Sequence, residues 1–211
     1  SINTIGDRAS GITCKSGWSE RFDAVASNAD IMHSYRDLLG HKHRSTTVTE
    51  KLKKKKYSPS LFVVHFGLKG SWPGIPHHMI LFGPRYKGLL EDIYDNGVLP
   101  SDFSLYLHHP TVTDPGMAPE GDSTFYDRII TSFHYTPQDF GTDLNAHLGS
   151  AFSLEPLLTQ SAWFRVHNRD DIIGNLYFVG AGTHPGAGIP GVVGSAKATA
   201  ELMLEDLGEA R

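Results

Sequence analysis

The sequence predicts an α/β fold on three observations. Near the C-terminus a continuous apolar run, Leu176-Tyr177-Phe178-Val179, leads through a glycine- and proline-rich loop into a long helix of small residues. A run apolar at every position is the pattern of a strand covered on both faces, as in parallel sheets. At the N-terminus short strand-like segments alternate with turn residues, and between the two ends strand and helix patterns are mixed.

Taken in order, Ile2 to Ile5, Gly11 to Lys15 and Arg21 to Ala26 read as strands joined by turns, the second turn at Ser16-Gly17. Asn28 or Asp30 is placed to cap a helix through Ile31, Tyr35 and Leu38-Leu39, which Gly40 stops. Residues 41 to 60 are polar and include Lys51 and Lys53-Lys54-Lys55-Lys56, which read as a solvated face or as a contact for anionic lipid. Leu61-Phe62-Val63-Val64-His65-Phe66 is short, aromatic and β-branched, the mark of a buried strand. Further strands are expected at Met79 to Phe82, Phe103 to His108 and Ile129 to His134, with helical spacing over Tyr86 to Tyr94. Thr136 to Gln160 is irregular, with one or two helical turns; Val192 to Leu207 is helical, with Pro190 just ahead of it.

Composition narrows the function classes. A net charge of -4 gives no general attraction to nucleic acid, so no nucleic-acid partner is expected. Cys14 is the single cysteine, which excludes an internal disulfide framework and fits a reducing compartment. No run approaches the roughly 18 to 20 apolar residues of a spanning helix. Twelve histidines invite a metal reading, yet there is no H-E-x-x-H and no Cys/His pairing of zinc type. His77-His78 and His108-His109 are adjacent pairs, and neighbours on a strand point to opposite faces, so no metal site is expected.

The chemistry concentrates in residues 180 to 192. A helix N-terminus carries unpaired N–H groups and partial positive charge, and Gly188, Gly191 and Gly194 allow a ligand close to the backbone. A phosphate and the electron-rich edge of a flavin both suit such a place. The segment lacks the Gly-Lys-Ser/Thr ending of a P-loop and does not stand where a G-x-G-x-x-G fingerprint belongs.

The run Asn175-Leu-Tyr-Phe-Val-Gly-Ala-Gly-Thr-His-Pro-Gly-Ala-Gly-Ile-Pro-Gly-Val-Val-Gly-Ser-Ala-Lys-Ala-Thr-Ala200 resembles the C-terminal signature of bacterial-type phytoene desaturases, FAD-dependent carotenoid desaturases. Ala26-Ser-Asn-Ala-Asp30, Ser34-Tyr-Arg-Asp-Leu-Leu39, Phe82-Gly-Pro-Arg-Tyr86, Ala118-Pro-Glu-Gly121, Ser150-Ala-Phe-Ser-Leu-Glu-Pro156 and Gln160-Ser-Ala-Trp-Phe-Arg165 extend the resemblance in order. It implies part of a Rossmann-like FAD-binding domain split in sequence, with an inserted mixed β-sheet/helix substrate domain. The implied boundaries are 1–33 for an FAD-domain remnant, 34–160 for a substrate and membrane-associated domain, and 161–211 for the C-terminal FAD-binding segment. The family's N-terminal glycine fingerprint has no counterpart, and a piece is missing between Tyr126 and Asp127, so the resemblance is to a C-terminal portion.

The resemblance further implies FAD as cofactor, with Gly180, Ala181 and Gly182 along the ribityl and pyrophosphate, and Gly191 and Val192 offering N–H groups to the flavin pyrimidine edge. Ala181 and Gly182 stand where related flavoproteins carry an acidic residue, so backbone contacts must serve there. His184 is expected to stabilise the loop. Leu61, Phe62, Phe66, Phe82, Phe103, Tyr106 and Phe133 are candidate walls of a tunnel for a hydrophobic polyene, or simply core. No catalytic acid or base stands out. The implied setting is cytoplasmic and peripheral to a membrane; the rival reading is a non-catalytic module that binds an apolar ligand or lipid.

Overall fold

A computed structural model of the chain describes residues 1–40, 45–70, 72–117 and 129–208. The expected break at 126/127 and the Ala118 to Gly121 match lie outside these residues. Strands and helices are mixed throughout, as the α/β expectation requires. The chain divides into two compact units, one of Ser1–Phe62 with Tyr135–Arg211 and one of Val63–His134, so the middle unit is narrower than residues 34–160.

The first unit opens with strands β1 (Ile2–Ile5), β2 (Arg8–Thr13) and β3 (Ser19–Arg21), antiparallel in that order. The expected single strand Arg21 to Ala26 is two pieces. β3 ends at Arg21 on β2, and β4 (Val25–Ser27) starts afresh beside β9 (Leu176–Phe178). Three residues between them let the chain leave one sheet and join another. β4 and β9 run parallel, Val25 opposite Leu176 and Ser27 opposite Phe178, so segments about 150 residues apart in sequence share one small sheet.

Asp30 caps the next helix: its carboxylate accepts from the N–H groups of Met32 (2.9 Å) and His33 (3.1 Å). The other expected cap, Asn28, instead donates its side-chain amide to the Val179 carbonyl at 2.9 Å. Helix α1 (Ile31–His33) continues as a π-helical turn over Ser34–Leu38, and α2 (Ser45–Lys53) follows. The core gathers Ile2, Val25, Ile31, Met32, Tyr35 and Leu39 around Leu176 and Phe178. The Tyr35 and Phe178 rings lie 4.9 Å apart, and the Tyr35 hydroxyl donates to Asp170 at 2.7 Å. Burial, then Asp170, pushes the Tyr35 phenol far above its ordinary value, so it stays a donor.

The middle unit holds β5 (Val63–Leu68), which pairs with β8 (Ile129–Tyr135), and β6 (His78–Leu81), antiparallel to β7 (Leu105–His108). α3 (Tyr86–Glu91) runs into a π-helical turn over Asp92–Asn96, where Arg85 reaches Asp92 (3.1 Å) and Asp102 (2.7 Å). Among the described residues of 63–134 only Leu89 and Pro100 are buried. The expectation of a buried strand over Leu61 to Phe66 therefore fails. Leu61 and Phe62 precede β5, which is half-buried to exposed, and Phe62 is 67 % exposed. β-branched apolar sequence dictates an extended backbone, but it does not supply a layer to cover it.

α4 (Pro137–Asp143) is closed by a reciprocal cap between Thr136 and Asp139, and accounts for the helical turns expected after Thr136. The chain finishes on α5 (Ile189–Leu207), three residues longer at its start than the sequence suggests. Pro190 is inside the first turn rather than ahead of it, where its missing N–H costs nothing.

Candidate functional site

β9, the loop after it and α5 form one construction held by buried polar groups. Leu176, Tyr177 and Phe178 are fully buried, as a strand apolar at every position should be. The Ser195 hydroxyl on α5 accepts the Gly180 N–H at 3.0 Å and lies 2.9 Å from the Thr183 hydroxyl. Thr183 in turn donates to the Gly180 carbonyl at 2.9 Å. One turn along α5, the Thr199 hydroxyl donates to the Phe178 carbonyl at 3.0 Å. The buried Asn168 amide reaches the hydroxyls of Ser195 (2.9 Å) and Thr199 (3.0 Å) and the His184 carbonyl (3.0 Å). Each group is buried and partnered, which fixes the loop at several points.

Two of the predicted backbone contacts are consumed by this construction. Gly180 spends its N–H on Ser195 and its carbonyl on Thr183, so it shapes the loop rather than facing a ligand. Its φ of +111° and the Asn28 amide, 2.5 Å from where a Cβ would stand, explain the glycine. The Ala181 carbonyl accepts from Arg165 Nη1 at 2.6 Å. Val192 is a correction to the sequence reading: its N–H donates to the Gly188 carbonyl at 2.9 Å, the first bond of the helix ladder, and is not available outward.

What remains open is the first turn of α5. Its N-cap residue is Gly188, which offers no capping side chain, and Pro190 has no N–H. The amides of Ile189 and Gly191 are therefore the donors of that turn. Gly191 sits so close to the returning loop that a Cβ would stand 2.5 Å from the Gly186 carbonyl oxygen. Gly188 to Pro190 are exposed, so the positive end of a 19-residue helix faces outward.

Sequence reasoning missed Arg165. It is only 3 % exposed and donates to the carbonyls of Ala181 (2.6 Å) and Leu154 (2.8 Å), while its Nε has no partner among the described residues. Burial lowers its pKa from the ordinary guanidinium value. A buried cation held by carbonyls alone is costly, and it lies directly against Gly186 of the loop. The only signal in the sequence is that Arg165 ends one of the segments carrying the resemblance. His184 stabilises the loop through its backbone, donating to the Val166 carbonyl at 2.9 Å; its ring Nδ1 is buried without a partner among the described residues. Asn168, Thr183, Ser195 and Thr199 were also not singled out for a site. The four-residue step from Ser195 to Thr199, on a helix otherwise small and apolar there except for Lys197, was the available sign.

The seven candidate tunnel residues are not core. Leu61, Phe62, Phe66, Phe82, Phe103, Tyr106 and Phe133 are all exposed. Cys14 is exposed as well.

A model of the family described as flavin containing amine oxidoreductase matches residues 1–204. The chain belongs to this family. Within the flavin-containing amine oxidoreductases, it is 51% identical to a lycopene-forming phytoene desaturase of a Paracoccus species, over 99% of this chain and 50% of that protein. It is 46% identical to the lycopene-forming phytoene desaturase of Pantoea ananas, over 98% of this chain and 50% of that protein. A neurosporene-forming phytoene desaturase of Cereibacter sphaeroides is 41% identical over 92% of this chain and 46% of its own length. The chain spans about half the length of the curated relatives it matches. The first alignment covers 248 positions against the 211 residues of this chain, so that relative carries residues with no counterpart here.

Proposed function

We propose that this chain is part of an FAD-dependent desaturase of a C40 carotenoid precursor such as phytoene, and that residues 180 to 192 close the flavin site. The observation that carries the reading is the uncapped, outward-facing first turn of α5 on a loop fixed from below by Ser195, Asn168 and Arg165. The 51% identity to a phytoene desaturase supports the substrate class.

The residues present fit a flavin. Ile189 and Gly191 offer N–H donors, Gly191 lets the loop close against the helix start, and Arg165 adds fixed positive charge beneath the loop. Bound FAD supplies the two-electron acceptor for converting a C–C single bond to a double bond. Donors fixed before reaction stabilise negative charge as it develops, without the cost of reorganising solvent. Gly182, whose backbone groups are not spent on the bonds that hold Gly180 and Ala181, is the remaining candidate for the ribityl and pyrophosphate.

The parallel pairing of β4 with β9 supports a Rossmann-like FAD domain split in sequence, and Val63–His134 is the inserted piece on this reading. That piece exposes Phe66, Phe82, Phe103, Tyr106 and Phe133, side chains chemically suited to a polyene or to lipid. Among the described residues no helix is long and apolar enough to cross a membrane. Each by itself, the exposed apolar side chains of the second unit and Lys51 and Lys53 to Lys56 of the first support a peripheral position on the cytoplasmic surface of a membrane. Lys53 is paired with Glu50 at 2.7 Å, which weakens its share of that attraction.

The test is conversion of phytoene in liposomes supplied with FAD. The expected result is visible absorbance of a lengthened conjugated chain, dependent on both protein and FAD. Retention of the polyene without conversion would instead favour a non-catalytic apolar-ligand module, for which the sparsely buried middle unit is the supporting observation.

A further inference from the structure

We infer that His77, His78 and His108 form a binding site for a divalent transition-metal ion of the zinc class. The strand register brings them together. β6 and β7 pair so that His78 stands opposite His108, and the His109 N–H donates to the His77 carbonyl at 2.7 Å, extending the pairing one step. The expectation that adjacent histidines diverge fails for this pair: His77 lies just ahead of β6, outside the strand alternation, and its ring centroid is 4.3 Å from that of His78.

One ring nitrogen from each of the three lies within 4.8 Å of the other two, and the Nε2 atoms of His77 and His108 are 2.9 Å apart. The other nitrogens are already engaged: His77 Nδ1 with the Thr113 hydroxyl at 2.6 Å, and His78 Nδ1 with the Tyr106 hydroxyl at 2.7 Å. An imidazole that donates from Nδ1 carries its lone pair on Nε2, the form a metal needs, and such outer hydrogen bonds orient ligating histidines. A proton joins only two ring nitrogens; an ion joins three. Metal–nitrogen bonds of about 2.0–2.1 Å put two ligands on a tetrahedral ion roughly 3.3 Å apart, within the range these atoms span. Closing the widest pair takes about 1.5 Å, a rotamer adjustment open to the exposed His78 and His108. Three imidazoles without thiolate favour zinc, cobalt, nickel or copper over magnesium or calcium, and leave a fourth position for water.

The unit that carries the site gives the ion a structural use. With only Leu89 and Pro100 buried among its described residues, it lacks the core on which small units rely, and a metal is one of the recurring substitutes. An ion here ties the start of β6 to the end of β7.

The experiment uses tag-free, chelator-treated full chain, titrated with Zn²⁺ by calorimetry and with Co²⁺ by visible absorbance. One equivalent should bind with micromolar or tighter affinity. His108→Ala and His78→Gln should each weaken binding about ten-fold or more, with unchanged circular dichroism, whereas His109→Ala should not. Zn²⁺ should also raise the melting temperature of the parent chain but not of His108→Ala. Absence of saturable binding, or equal affinity in His108→Ala, or a loss in His109→Ala as large as in His108→Ala, would overturn the site.

Discussion

Phe178→Ala is expected to lower the unfolding free energy by about 3–5 kcal/mol, a large part of the roughly 5–15 kcal/mol that holds a typical domain together. Phe178 is fully buried, and its ring contacts Tyr35 at a centroid distance of 4.9 Å. Its removal leaves a cavity at the place where β4 and β9 join the two sequence-distant segments of the first unit. Urea denaturation of parent and variant reads the change. A loss under 1 kcal/mol would mean that the two segments are held together by something other than this core.

Gly191→Ala should weaken FAD binding about ten-fold or more, equivalent to about 1.4 kcal/mol. The added Cβ would meet the backbone carbonyl oxygen of Gly186 at 2.5 Å, which no side-chain rotation can relieve, so the loop must move away from the α5 N-terminus. Gly194→Ala, one turn further along the same helix, is the control. There the Cβ meets the Pro185 ring, Cγ at 3.6 Å and Cδ at 4.0 Å, ordinary contacts, and alanine has the better helix propensity. Affinities measured by flavin fluorescence should fall for Gly191→Ala and stay within about two-fold of the parent for Gly194→Ala. Equal effects would remove the claim that the close approach at Gly191 matters.

The contrast between these glycines shows what was legible in the sequence. The C-terminal strand, loop and helix could be read because burial on both faces leaves an unbroken apolar run, and because small residues cluster where a helix comes close to a loop. A helix cap at Asn28 or Asp30 could be read because capping is local chemistry; the choice of Asp30 could not, since Asn28 is drawn to Val179 across the fold. The break between β3 and β4 could not, since Arg21 to Ala26 has no internal reason to change sheets; the partners that divide it lie at 11 to 13 and at 176 to 178.

The site divides in the same way. The N–H of Val192 was misread because the first ladder bond depends on where the helix starts, three residues earlier than its apolar pattern suggests. Arg165 and Asn168 acquire their positions only when the chain folds back on itself, and neither belongs to a periodic pattern. The His77, His78 and His108 group was hidden for a related reason: His108 reaches the adjacent pair across a strand pairing that no local spacing specifies. The exposed aromatics of the middle unit mark the opposite failure, in which composition promised burial and the fold supplies no covering layer.

The most direct test of a flavin at the α5 N-terminus is the visible spectrum of the purified chain after incubation with FAD and desalting. Retained flavin absorbance in the parent, reduced in Gly191→Ala, is the expected result; a colourless parent protein would contradict it.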